Sequence, residues 1–265
     1  MKEKTRITVI GTGNMGGAFA EALSANPSVE LSVFDSYRPC ADKVAENRPI
    51  TVLDEMAQAK GTDAIIIAVK PQVLPEIYGD LADLKPGLFI SIAAGVTLEK
   101  LQANLRSEKV VRFMPNIAAK VGKAVTAVAY PEGLAQKHRK LAMTVAQSVG
   151  SAFELDENLF SAFIGISGSG IAYMFDLMHH MAMGGVKQGI PYGKALSIVA
   201  DTMISAAELQ KSTGRNAMEL EAMVCSAKGT TIEGVAKLAE GGFANAVLNA
   251  VDAAAERSKE LEKKA

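Results

Sequence analysis

The stretch Arg6-Ile7-Thr8-Val9-Ile10-Gly11-Thr12-Gly13-Asn14-Met15-Gly16-Gly17-Ala18 constrains this chain more than any other. Ile7, Val9 and Ile10 form a short apolar run of the kind a buried parallel strand uses. The run enters Gly-x-Gly-x-x-Gly directly, and apolar residues at helical spacing (Ala18, Phe19, Ala22, Leu23) follow at once. Strand, glycine turn and helix in that order are the context a dinucleotide fingerprint requires. Gly11 permits the tight turn, Gly13 lets the main chain approach a pyrophosphate, and Gly16 lets helix and strand pack closely. The helix start at Asn14, Met15 and Gly16 then offers free N–H groups and a positive dipole end to the phosphates.

The alternation continues to about residue 155. Residues 29–34 read as a second strand ending at Asp35, followed by a short helix near 39–47 and a strand near 50–53. The runs Ala64–Val69 and Leu88–Ile92 are apolar throughout, as in strands covered on both faces. Val110–Phe113, residues 124–129, a helix at about 132–149 and residues 151–154 complete the layer. This spacing predicts an α/β fold with a parallel, doubly wound Rossmann-type sheet. From Asn158 the strand pattern stops, and helical periodicity covers roughly 170–187, 192–212, 216–225, 230–240 and 243–263. The expected organisation is a dinucleotide-binding domain over 1–157 and an all-helical domain over 158–265.

Composition excludes several other classes. Formal net charge is −1, so there is no basic footprint for nucleic acid. No apolar run reaches the about 18 residues of a membrane span, and Met1-Lys2-Glu3-Lys4 lacks the apolar core of a signal peptide. Cys40 and Cys225 lie far apart and there are 3 histidines, which argues against a disulfide framework and a metal centre. The chain reads as a cytoplasmic protein.

In an open α/β sheet, ligands sit beyond the carboxyl ends of the strands. Those ends here are Gly11–Gly16, Asp35, Ala68-Val69-Lys70-Pro71, Ala93-Ala94-Gly95 and Met114-Pro115-Asn116. Each offers a small, sharply turned segment that could cup a nicotinamide ring. Asp35 stands about 20 residues past Gly16, where an acid accepts from the adenine ribose of NADH. Arg38 could pair the 2′-phosphate of NADPH instead. The two signals oppose each other, and cofactor preference stays open between them.

The second half holds two polar glycine segments. Ile166-Ser167-Gly168-Ser169-Gly170 opens a long helix with serines available to cap it. Cys225-Ser226-Ala227-Lys228-Gly229-Thr230-Thr231 precedes another helix, and Gly229, Thr230 and Thr231 put N–H groups where a carboxylate could bind. Capping of the helix alone would account for the same residues. One of His179 and His180 is expected to face the core as a structural histidine. No Ser/His/Asp set or spaced carboxylate pair supports hydrolysis.

Taken together, Gly11–Gly16, Ala68–Gln72, Ser91–Gly95, Arg112–Asn116, Gly165–Gly170, Ala172-Tyr173, Gly185-Val186-Lys187, Gly229-Thr230-Thr231 and Glu240–Phe243 resemble the pyrroline-5-carboxylate reductase family along nearly the whole chain. The resemblance implies transfer of a hydride from NADPH or NADH to the C=N carbon of a cyclic imino acid, the last step of proline biosynthesis. It implies that main-chain N–H groups of Ser226–Thr231 hold the substrate carboxylate. Ser226 and Thr231 become the catalytic residues, with the Thr231 hydroxyl on the ring nitrogen, and no metal takes part. It also implies homodimers whose helical domains interlock, and larger rings of such dimers. The chain departs from the usual family pattern at Ile171, at Ile117-Ala118, and at Ala227-Lys228, where Pro-Gly is usual. A non-glycine residue at 228 is strained if its φ is positive. These departures keep two other readings in view, a reductase of a different cyclic imine and a nicotinamide-nucleotide sensor without turnover.

Overall fold

A computed structural model describes residues 4–264, with the side chain of Lys264 excepted, so Met1–Glu3 of the signal-peptide argument lie outside the described residues. By internal contacts the chain divides into one unit of residues 1–168 and 254–265 and a second of Ser169–Ala253.

The first unit is built on one sheet of eight strands: β1 (Thr5–Ile10), β2 (Val29–Phe34), β3 (Ile50–Val52), β4 (Ala64–Ile67), β5 (Phe89–Ser91), β6 (Val110–Pro115), β7 (Ala124–Ala129) and β8 (Gly150–Glu154). Their order is β3-β2-β1-β4-β5-β6-β7-β8. The central strand β4 is apolar throughout because both of its faces are covered. In β4, Ala64 and Ile66 join one core while Ile65 and Ile67 join the other. Helices α1 (Asn14–Ser24), α2 (Arg38–Ala45) and α5 (Gln136–Gln147) contribute to the first core, and α3 (Leu74–Leu84), α4 (Leu98–Leu105) and α6 (Phe160–Phe163) to the second.

The expected parallel sheet needs one correction, because β7 pairs antiparallel to β6. Only the short 3₁₀ segment Ile117–Val121 and three further residues join them. A parallel return needs a crossover of a dozen residues or more, so the chain must double back. The helix α5 then restores a parallel step to β8.

Arg112 of β6 is fully buried. Its Nη1 donates to Glu157 and its Nη2 to Glu262, both at 2.7 Å, and the guanidinium lies 4.8 Å from the Phe160 ring centre. Its Nε has no partner among the described residues.

The second unit consists of α7 (Gly170–Lys187), α8 (Tyr192–Thr213), α9 (Ala217–Val224), α10 (Thr230–Glu240) and the first part of α11 (Phe243–Lys264). Among the described residues its buried apolar cluster is only Ala182, Ala195 and Val199. Three expectations are corrected here. Ser167 and Ser169 do not cap α7, because Ile164–Gly168 is a π-helical turn that leads into it. Neither His179 nor His180 faces a core within the chain: both are exposed, bonded at Nδ1 to the Tyr192 hydroxyl (3.0 Å) and the Asp176 carbonyl (2.9 Å) respectively. The helical stretch Glu157–Lys187, with mean hydropathy 1.3, is long and apolar enough to cross a membrane by length and composition. It passes that measure because Phe, Ile, Leu and Met residues outweigh its few polar ones.

Candidate functional site

The glycine turn owes its shape to forbidden side chains. Gly11 has φ +91°, and a Cβ there would lie 2.8 Å from the Ala68 carbonyl oxygen. A Cβ at Gly16 would lie 1.9 Å from the Gly11 carbonyl oxygen, so helix and turn touch through hydrogen alone. At Gly13 the direction of a side chain is open, with no heavy atom of the described residues within 4 Å. Gly13 begins α1 without a side-chain cap and with no acid in the first turn. Its carbonyl accepts the first helical bond from Gly17 at 2.8 Å, leaving the preceding N–H groups for an anion. An open space above a bare helix start fits a pyrophosphate.

Beside it lies a cleft of about 260 Å³ lined by Gly11, Gly13, Asp35, Ala68, Val69 and Lys70. Phe34, Ser36, Met56, Val73 and Ile77 line it too, and the sequence reading missed them. Met56 comes from a short 3₁₀ turn after β3, whose position past a strand end was the available signal. The apolar members suit a flat aromatic base. Asp35 is half-buried and already engaged: Oδ2 accepts from the Thr12 N–H (2.6 Å) and hydroxyl (2.9 Å), and Oδ1 from the Tyr37 N–H (2.9 Å). Arg38 is held away by two carboxylates, Asp42 at 2.8 Å and Asp54 at 2.5 Å. Hydrogen bonds to Asp42 first and Asp54 second raise its already high pKa.

The remaining strand-end residues take other places. Asn14 faces a neighbouring cleft shared with Lys43 and Lys120, and Met15 packs partly against the core. Pro71 opens a 3₁₀ turn leading into α3. Ala94 is exposed beside Gly95, whose φ is +79°. Asn116 is buried, and its amide is taken up locally: Oδ1 accepts from the N–H groups of Ala118 and Val125 (both 3.3 Å), and Nδ2 donates to the Ser167 hydroxyl at 3.2 Å. It ties the π turn to the β6–β7 connection.

In the second unit, Lys228 has φ +60°, so the strain expected of a non-glycine residue is present. The N–H of Gly229 closes a turn onto the Ser226 carbonyl at 3.0 Å. A Cβ at Gly229 would lie only 2.3 Å from Ser226 Oγ, so this hydroxyl is tucked against the loop only because residue 229 has no side chain. Gly229 starts α10 without a side-chain cap, and Thr230 and Thr231 occupy its first turn.

A Rossmann-type sheet, parallel but for one strand pair, with a bare glycine-turn helix start and an acid at the end of β2 defines a nicotinamide-dinucleotide oxidoreductase. A family model described as "Pyrroline-5-carboxylate reductase dimerisation" matches residues 157–261, and one described as "NADP oxidoreductase coenzyme F420-dependent" matches 6–95. Curated relatives named pyrroline-5-carboxylate reductase include those of Methanosarcina acetivorans, 38% identical over 99% of this chain and 100% of the relative, and Aquifex aeolicus, 35% identical over 97% of each. The solved structure of such a reductase from Coxiella burnetii superposes with TM-score 0.92 at 27% identity, covering 98% of this chain and 99% of that one. An NADP-bound pyrroline carboxylate reductase from Plasmodium falciparum gives 0.82 at 26% identity over 98% and 99%. The chain belongs to the pyrroline-5-carboxylate reductase family.

Proposed function

We propose that this chain reduces 1-pyrroline-5-carboxylate to L-proline with NADPH or NADH, the reaction its family is named for. The observation that carries the reading is a pair of helix starts without side-chain caps, α1 after Gly13 and α10 after Gly229, each following a turn shaped by glycine. The first receives a pyrophosphate on the N–H groups of Asn14, Met15 and Gly16. The second receives the substrate carboxylate on the N–H groups of Gly229, Thr230 and Thr231.

A bound reduced nicotinamide supplies the hydride. The chain's own groups bind and orient. Asp35 retains an unused lone pair on Oδ1 for a ribose hydroxyl, while Arg38 is the group nearest in chemistry to a 2′-phosphate partner. Ala68–Pro71 and Ala94-Gly95 border the nicotinamide end, and Asn116 holds their surroundings in register. Thr231 donates or accepts at the ring nitrogen, Ser226 braces the loop, and Lys228 adds a cation near the carboxylate. The imine is protonated readily in water, so catalysis rests on positioning and electrostatics, with neither a strong protein acid nor a metal.

The protein works as a homo-oligomer. The small apolar cluster of the second unit leaves Met174, Phe175, Ile204 and Val224 exposed on the single chain, which favours a homodimer that covers these faces, with rings of dimers built from it. We place the enzyme in the cytoplasm, acting on a small molecule without nucleic acid or membrane. Lys228 at positive φ, where the family usually has glycine, favours a second reading in which the imine differs in ring size or carboxylate position. Steady-state oxidation of each cofactor with a panel of cyclic imines tests both. Turnover restricted to 1-pyrroline-5-carboxylate supports the first, a preference for another ring supports the second, and binding of cofactor without turnover on any imine would leave a nucleotide sensor.

A further inference from the structure

The first turn of α5 breaks the rule that helix starts attract acids. It reads Gln136-Lys137-His138-Arg139-Lys140, contains no acid, and follows Ala135, which cannot cap. Cations there oppose the helix dipole. Local rules are broken in this way where something else supplies the balance. Arg139 has its own partners, Glu154 at 3.1 Å and the Tyr130 ring at 4.9 Å. Lys137 and His138 have none among the described residues, and both line a cavity of about 420 Å³ together with Lys4, Arg6 and Asp63.

Two features mark this cavity as a site. His138 is 8% exposed, lines the cavity and makes no side-chain hydrogen bond among the described residues. Burial first, and then the positive charges of Lys137 and Lys109, hold its pKa below the usual histidine value, and the cavity is lined by three cations and one acid. The charges do not balance internally either. Asp63 faces three cations and already accepts the Arg6 N–H at 2.8 Å, while the Arg6 guanidinium gives one of its five N–H bonds to the Gly61 carbonyl. One dianion would neutralise the surplus.

We propose that Lys4, Arg6, Lys137, His138 and the start of α5 form a binding site for a phosphate group, at the amino-terminal edge of the sheet. Thr5, Asp63 and Gly87 place it beside the beginnings of β1, β4 and β5. The cofactor cleft is at the opposite, carboxyl ends of the strands, so the two sites do not overlap. The cations and the helix start supply point-charge and N–H contacts, and His138 supplies a directed ring N–H.

The test is NMR of the histidine rings, which number 3 and are assigned through His138→Gln. Inorganic phosphate is titrated at constant pH into the full protein saturated with NADPH, with sodium chloride of matched ionic strength as control. The site predicts a saturable movement of the His138 signal, a rise in its titration midpoint, still signals from His179 and His180, and at least tenfold weaker binding in Lys137→Ser. Lys4→Ser removes a second cation of the site and should weaken binding as well, and thermal melts confirm that both variants fold. Glycerol 3-phosphate run alongside separates sources: tighter binding than inorganic phosphate points to a phosphorylated metabolite, and weaker or equal binding to free phosphate. A His138 signal that does not saturate, that moves equally with chloride, or that responds in both lysine variants as it does in the parent overturns the site.

Discussion

Asp35 accepts both the main-chain N–H and the hydroxyl of Thr12 on one carboxylate oxygen, at 2.6 and 2.9 Å. The acid at the end of β2 therefore holds the glycine turn in shape as well as facing the cofactor cleft. Asp35→Ala should do two things at once. It leaves the buried Thr12 N–H unpaired, which costs about 1–3 kcal/mol, and it raises NADPH affinity relative to NADH by removing a negative charge. Thr12→Val should lower thermal stability alone, and Arg38→Ala should shift the cofactor ratio toward NADH. Melting curves and binding titrations with both cofactors check this, and an unchanged ratio in Asp35→Ala and Arg38→Ala would show that neither residue reads the ribose.

Gly13 and Gly16 should separate binding from folding. The open direction at Gly13 predicts that Gly13→Val folds with stability within about 0.5 kcal/mol of the parent and loses cofactor binding. Gly16→Ala instead drives a methyl into the Gly11 carbonyl and should destabilise the first unit. A Gly13→Val protein that binds NADPH normally would refute the placement of the pyrophosphate.

Relief of strain should be measurable at Lys228. A side chain at φ +60° costs about 1–2 kcal/mol, and glycine's greater freedom in the unfolded chain takes back about 0.5–1 kcal/mol. Lys228→Gly should therefore stabilise the protein slightly. If the ammonium also helps hold the carboxylate, KM for the pyrroline rises while cofactor affinity stays constant. A lower melting temperature would mean that Lys228 makes contacts outweighing its strain.

Thr231 distinguishes a substrate contact from a helix start. A hydrogen bond to a charged iminium is worth about 1.5–3 kcal/mol, or about 10- to 150-fold in kcat/KM. Thr231→Ala should lose that much with unchanged cofactor affinity, and Thr231→Ser should recover most of it. Loss of stability with intact kinetics would return Thr231 to a purely structural role.

The parts of the fold set by local pattern were readable in the sequence. Gly11–Gly16 announced the turn, and the breaks at Gly189-Ile190-Pro191, Thr213-Gly214 and Gly241-Gly242 placed six helix boundaries of the second half within a residue. What escaped depends on contacts far apart in the chain. The reversal at β7 follows from a connection too short for a crossover. The engagement of Asp35 by Thr12 and of Asn116 by Ser167 needs three dimensions to be seen. His179 and His180 lie on an apolar helix whose sides find little core within its own chain, which local spacing does not reveal.

Arg112 shows the same limit, since a charge within an apolar strand gives no hint of its partners. Removing one member of a buried ion pair costs about 3–5 kcal/mol, so Arg112→Ala should be strongly destabilising. Glu262→Gln should cost less, because Glu157 remains. Denaturant melts of the two variants give the comparison, and equal losses would mean that Glu262 carries the pairing alone.

That pairing also orders events during synthesis. Strand β6 emerges from the ribosome about 150 residues before Glu262 can reach it, so for much of translation the guanidinium has only Glu157 as an acidic partner within its own chain. The sheet can form early, yet its charge balance waits for the last turns of α11. A nascent chain stalled before those turns carries a complete glycine turn and an incompletely neutralised interior, which makes the unit that is synthesised first the one that is finished last.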